Sequence, residues 1–424
     1  MRSARLLRAA ASLAQAPAVI FVVALLARWR VLWQLLPQSA WRFFYEYNEF
    51  ARIAWALASG YGYSSPWAHT PLLPTAHEPP VYTFLLAGIF KLAGAYSYAS
   101  LWIGVGLNAI ASAFTGILIL RIGRRVVGTP AAILAAWMWS CWLYEAVVSI
   151  RLWESGIAAL LLMLALGWLP DLAESTELSQ WLWFGALAGI SALTNTTLLS
   201  LFPFFWLWLC ISHRRCGRSC YRLLAGSVLV CLLVLLPWTI RNFVTFHRLM
   251  PLRDNFGLEL WIGNHEGVNQ SQQFPREFPL IDPSEYNRMG EIAFMESKRA
   301  LALAFIGRNP GLFSQLCAHR AWKFWTTPEY SAWPLLSALA WLGGALALWR
   351  KRLAAVPYVT VLLIFPLVYY ITHTFPTYRH PIEPVILLLA AYAVTEAVQT
   401  LTRKGGSSKT GSLLDSDADE KQTA

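Results

Sequence analysis

Residues 80–94, PVYTFLLAGIFKLAG, decide the fold, because whether they cross a membrane sets the side on which every later loop falls. The surrounding chain is rich in hydrocarbon: 57% of its 424 residues are hydrophobic and only 13% are charged, with a mean hydropathy of +0.45. A soluble domain carries about 25% charged residues, so this composition belongs to a polytopic membrane protein. Further apolar runs fall at 11–36, 98–120, 130–149, 155–170, 181–194, 197–212, 223–238, 332–349, 356–372 and 382–400. Between them lie five basic clusters: Arg2/Arg5/Arg8, Arg121/Arg124/Arg125, Arg214/Arg215/Arg218/Arg222, Arg350/Lys351/Arg352 and Arg403/Lys404. Short loops rich in Lys and Arg stay in the cytoplasm. If 80–94 spanned, the cluster at 121–125 would land outside and every later cluster would be inverted. If it stays in the interface, or dips in and returns, all five share one side. The run has only 15 residues, opens on Pro79-Pro80 and carries Lys91, whereas a span needs about 20. The sequence therefore predicts an all-α polytopic membrane protein with about ten transmembrane helices and both termini cytoplasmic.

That topology leaves outer intervals at 37–97, around Arg151–Glu154, at 239–331 and, briefly, at 373–381. Residues 1–403 read as one membrane domain. The tail 404–424, Gly/Ser-rich and acidic at its end, reads as disordered. Arg28 and Arg30 fall late in the first apolar run, with no small-residue cleavage site, which predicts an uncleaved signal anchor. The net charge of +11 resides in the loop clusters, where topology and anionic headgroups account for it, so a nucleic-acid partner is not expected. Three of the six cysteines lie in apolar runs and two in a basic loop. They read as reduced thiols rather than a disulfide framework.

The first polar interval, residues 41–80, is WRFFYEYNEFARIAWALASGYGYSSPWAHTPLLPTAHEPP. It combines Glu46, Glu49, His77 and Glu78 with many aromatic residues, a mixture suited to chemistry at the membrane surface. Apolar residues recur at helical spacing from Phe43 to Ala58, and Gly60 and Gly62 end the helix. Glu46 and Glu49, three apart, share a face. The long outer interval begins PWTIRNF and predicts amphipathic helices near 284–308 and 311–325, split at Asn309-Pro310, rather than a domain of its own.

In order and spacing these residues resemble the C superfamily of membrane glycosyltransferases that use polyprenyl-phosphate sugars. The likeness is to the branch with bacterial aminoarabinose transferases and protein O-mannosyltransferase-like proteins (glycosyltransferase family 39-like). It is carried by Glu46, Phe50, Ile53-Ala54, Gly60-Tyr61-Gly62 and PPVY at 79–82, then by PWTIRN at 237–242, FGLELWIGN at 256–264 and TYRHPIEP at 377–384. A more distant similarity to oligosaccharyltransferase catalytic subunits matches Arg151 and Glu154. The chain departs from the pattern in having Glu46 where the family usually has Asp, and Glu78 where a Lys often precedes the Pro-Pro pair.

The resemblance implies an inverting hexosyl- or pentosyltransferase in a bacterial cytoplasmic (inner) membrane, acting on the outer face. Its donor is a polyprenyl-phosphate sugar and its acceptor a lipid, a glycan or a protein. It implies Glu46, Glu49 and Glu154 as catalytic carboxylates, with spacing from Phe50 and Ile53-Ala54 favouring Glu46 as the base. Arg151, Arg241, Asn242, Tyr378, Arg379 and His380 are the implied substrate and phosphate contacts. A divalent cation (Mg, Mn or Zn) is optional in the superfamily, with His77, Glu78 and Glu154 as its expected ligands. The competing readings are a flippase for a lipid-linked sugar and a glycan ligase or polymerase. Transporters show internal repeats and broken mid-membrane helices. Neither is visible in the sequence, and apart from Glu145 the charges cluster at span ends.

Overall fold

The computed structural model describes residues 12–35, 45, 48–67, 72–268, 281–327 and 332–419, without the side chains of 351–352 and 403–419. Among them the secondary structure is helical, with one isolated bridge between Ser64 and Pro74. The membrane bundle is built from α1 (Pro17–Leu35), α4 (Tyr98–Val126), α5 (Thr129–Cys141), α6 (Leu143–Ser149), α7 (Ser155–Glu174), α8 (Leu178–Thr194), α9 (Phe202–Arg215) and α10 (Tyr221–Phe246). It is completed by α15 (Trp333–Lys351), α16 (Val356–Ile364), α17 (Leu367–Ile371) and α18 (Glu383–Asp419). Two helices of the first outer interval, α2 (Glu49–Ala58) and α3 (Pro80–Ala93), lie beside it. So do four of the long one: α11 (Phe256–Gly263), α12 (Pro283–Met289), α13 (Glu291–Arg308) and α14 (Pro310–Thr326).

Seven stretches of helix are long and apolar enough to cross a membrane, or eight if α5 and α6, bent by 61° at Trp142, form one broken span. Two of the ten expected spans fall short. α8 has 17 residues, and α15 is diluted by Pro334, Arg350 and three tryptophans. Helix α3 has 14 residues, about 21 Å at 1.5 Å per residue against a hydrocarbon core of about 30 Å. It does not span. In the long outer interval Gly290, at φ +74, separates α12 from α13, a break within the helix expected over 284–308. Helix α18 continues as helix through 404–419, where composition predicts an irregular tail. Extending an existing helix adds a hydrogen bond per residue without a new nucleus.

Charge is also found inside the bundle. Arg28 is fully buried, donating to Ser112 Oγ at 2.8 Å and to the carbonyls of Ser140 and Trp139 at 3.0 Å. Just past the Trp142 break, Glu145 meets His380 Nδ1 at 2.7 Å, and Arg379 pairs with Glu383. Both the broken helix and the buried network differ from the sequence expectation. Arg28 and Glu145 look isolated in sequence, and folding brings them partners from distant helices, whereas Arg379 pairs with Glu383 one turn on.

Candidate active site

The site begins at the start of α2. Asn48 caps the helix by accepting from Ala51 N at 2.8 Å, while its amide donates to Leu152 O at 2.8 Å. This ties the first loop to the turn before α7. Glu49 is the first helical residue, where the helix dipole favours an acid, and Phe50, Ala51, Ile53 and Ala54 are buried. Gly60 and Gly62 end the helix at φ +87 and +78, angles that disfavour a side chain. The chain then doubles back, with Ser65 N donating to Leu73 O and Thr75 N to Tyr63 O, and delivers His77 and Glu78 beneath Glu49. His77 Nε2 lies 3.2 Å from Glu49 Oε2 and 3.7 Å from Glu78 Oε1. The edge of Trp67 packs on its ring at 4.2 Å.

The outer loop after α10 closes this group. Arg253 donates from Nε to His77 O at 2.6 Å and sets its guanidinium 3.3 Å from Glu78 and 3.9 Å from Glu259. Glu259, on α11, accepts from Asn255 Nδ2 at 2.6 Å and faces His373 at 3.5 Å. His373 in turn bonds Tyr378 OH at 3.0 Å, and the Tyr378 ring stacks on Tyr369 at 4.8 Å. From the bundle, Glu154 stands at the start of α7 and accepts from Asn195 Nδ2 at 2.9 Å, while its second carboxylate oxygen is buried without a partner. Together these residues line a cavity of ≈ 250 Å³. That is smaller than the ~300–1000 Å³ of ordinary ligand pockets, room for a small polar group.

The cavity has an excess of acid. Four carboxylates, Glu49, Glu78, Glu154 and Glu259, share one guanidinium, Arg253. Burial pushes the Glu78 carboxyl up to about 8 and neighbouring Glu49 adds to this, against the pull of Arg253 and His77. Burial, then Glu78, likewise raises Glu154 to about 8. His77 is lowered by burial and stays neutral. Burial alone would lower Arg253, but the surrounding carboxylates outweigh it and hold the guanidinium firmly protonated. A divalent cation would relieve the excess. The donor atoms of Glu49, His77 and Glu78 all lie within 4.8 Å of one another, and His77 Nδ1 is buried without a hydrogen bond. The residues present therefore fit a cation. Glu154, expected from the sequence as a ligand, stands outside this set, and Glu49 takes its place.

The other expected contacts divide. Tyr378 lines the cavity. Arg151 is exposed and does not line it. Arg241 donates to the carbonyls of Thr75 (2.6 Å) and Tyr63 (3.0 Å) and packs on Tyr63, Trp238 and Phe246, so it pins the first loop instead of facing the cavity. Asn242 donates to Met250 O and Leu252 O, shaping the turn that presents Arg253. Arg379 is buried between Trp333 and Trp325, and His380 is stacked on Trp139. Neither reaches the cavity. Glu46 lies outside the described residues. Arg253, Asn255, Glu259, Asn195 and His373 were not singled out from the sequence.

This helical bundle, with its acidic cavity under two outer loops, has known counterparts. Residues 77–240 match the family model described as dolichyl-phosphate-mannose-protein mannosyltransferase. The Archaeoglobus fulgidus oligosaccharyltransferase in complex with zinc and sulfate aligns at a TM-score of 0.54 and 13% identity, over 90% of this chain and 49% of that one. The chain shares the fold of this archaeal oligosaccharyltransferase. The archaeal enzyme AglB, in complex with an inhibitory peptide and a dolichol-phosphate, aligns at 0.54 and 13% identity, over 92% and 52% of the two chains. ArnT from Cupriavidus metallidurans bound to undecaprenyl phosphate aligns at 0.49 and 15% identity, over 87% and 60%. The chain thus spans about half to three fifths of the length of these solved proteins. No curated protein matches it in a sequence search.

Proposed function

We propose that this chain is an inverting glycosyltransferase that moves a sugar from a polyprenyl-phosphate donor to a hydroxyl-bearing lipid, glycan or protein acceptor. The carrying observation is the acid-lined cavity between the first loop and Arg253. The dolichyl-phosphate donors named by the family match, and the dolichol-phosphate bound by AglB, support a lipid-phosphate donor. A sugar phosphate already carries an activated leaving group. The protein must deprotonate the acceptor, align the attack and hold the departing charge. Glu49, at the mouth of the cavity beside His77, is the base. Glu154, fixed by Asn195 and with one oxygen unbonded, orients the acceptor hydroxyl. Arg253 is the cation nearest the departing phosphate. A single displacement with one base and no protein nucleophile inverts the anomeric centre. A divalent ion at Glu49, His77 and Glu78 supplies further charge neutralisation when bound. Purified protein incubated with radiolabelled polyprenyl-phosphate sugars should move label from lipid to acceptor with at least one donor. No transfer from any donor, with folded protein and acceptor present, contradicts the reading.

If the cation takes part in turnover, chelation removes activity and added Mg²⁺, Mn²⁺ or Zn²⁺ restores it. His77→Gln should then weaken the ion's effect at least tenfold, since each ligand is a large share of such a site. Full activity in chelator leaves the three residues as positioning groups.

The orientation is part of the same proposal, with a bacterial cytoplasmic (inner) membrane as its setting and the cavity on the outer face. In this orientation the arginines at 121–125 and 214–222 face the cytoplasm and the cavity loops face outward. Impermeant thiol reagents applied to sealed cells should therefore spare exposed Cys216 and label a cysteine introduced at position 310. Labelling of both from one side would overturn the orientation.

A further inference from the structure

At the opposite end of the bundle, where α4 ends in its arginine cluster, a second cavity of ≈ 600 Å³ opens between α4, α7 and α8. Its walls are apolar: Leu118, Ile122, Leu164, Trp168 and Leu187, with Leu164 40% exposed within it. Its rim is cationic. Arg121 is exposed and makes no hydrogen bond among the described residues. Arg124 donates one nitrogen to Gln15 O at 2.8 Å, while its buried Nε has no partner. Arg125 meets Asp171 at 3.0 Å, both more than half exposed, a pairing that contributes little. Three arginines against one aspartate leave two positive charges at the edge of a hydrocarbon groove, at the depth where helix ends meet headgroups.

Apolar walls under a cationic rim select a ligand with an anionic head and a hydrocarbon tail. We propose that this groove binds one anionic glycerophospholipid from the adjacent leaflet, its phosphate on Arg121 and Arg124 and an acyl chain along Leu118 and Leu164. An arginine fork matches phosphate oxygens, and basic pockets between membrane helices favour anionic headgroups. A free anion would use the rim but leave the apolar walls idle, and a zwitterionic lipid would fill the walls without neutralising the rim. This site stands whether or not the first cavity performs glycosyl transfer.

Native mass spectrometry of the delipidated full-length protein provides the test, with phosphatidylglycerol or phosphatidylcholine of matched chains added back. Wild type should hold a first phosphatidylglycerol at least about tenfold more tightly than phosphatidylcholine, since each arginine near the headgroup adds about fivefold. Arg121→Gln with Arg124→Gln should bring the two lipids level. Arg121→Gln alone, which breaks no contact within the protein, should lower phosphatidylglycerol binding about fivefold. Leu164→Trp fills the groove and spares the rim, so it should weaken both lipids. Equal binding of the two lipids by wild type would overturn the proposal. So would a preference that survives the double substitution, or displacement of the lipid by inorganic phosphate with no effect of Leu164→Trp.

Discussion

Glu49→Gln is expected to lower turnover by a factor of about 10² to 10⁴, the range for removing a general base. Gln keeps the size and hydrogen bonding of Glu49 beside His77, 3.2 Å away, but cannot take the acceptor's proton. Measured in chelator, where loss of a cation ligand does not enter, donor affinity should change little, because the base meets the acceptor. Glu46→Gln should cost far less if Glu49, which lines the cavity, is the base. Turnover and donor affinity of the two variants, measured side by side, decide between them. The reverse pattern moves the base three residues back. Near-normal turnover in both removes the first loop from proton transfer and makes Glu154 the candidate.

Arg253→Met is expected to destabilise the protein by about 3 kcal/mol, the low end for breaking a buried ion pair because the side chain is 20% exposed. Glu78 and Glu259 lose their counter-charge, and the His77 carbonyl loses its donor. Glu78→Gln in the Arg253→Met background should recover part of that loss, although alone it should destabilise, since each residue is costly chiefly when the other is missing. Thermal denaturation of the two single variants and the double gives the coupling. Additive losses would show that Arg253 does not hold the acids together.

The shortness of α3 was legible in the sequence, because Pro79-Pro80 sets its start and Gly94 its end, leaving 14 helical residues. The first-loop acids were legible because a polar interval between hydrocarbon runs has few reasons to carry two glutamates and a His-Glu pair. Arg253 and Glu259 were not, since they join the site from some 180 residues downstream, through a turn shaped by Asn242. Their own stretch has no period that marks a cavity wall. Arg241 and Arg379 misled for a related reason. An arginine at a span end reads as a phosphate ligand, but here each is sandwiched among aromatic rings and bonded within the protein. Buried arginines need such partners whatever the function. The Trp142 break was also invisible, because an apolar run does not reveal a 61° bend.

That break, with Glu145 and His380 paired beside it, is a feature that membrane transporters also use. The most direct test of glycosyl transfer is therefore the chemical fate of the donor's sugar–phosphate bond. Purified wild-type protein in sealed proteoliposomes would be given a doubly labelled polyprenyl-phosphate sugar and an acceptor, and the lipid, the sugar and their sidedness followed together. Transfer predicts that the bond breaks, polyprenyl phosphate accumulates, the sugar appears on the acceptor with inverted anomeric configuration, and Glu49→Gln abolishes all three. A sugar that changes sides while still joined to its lipid phosphate would contradict it.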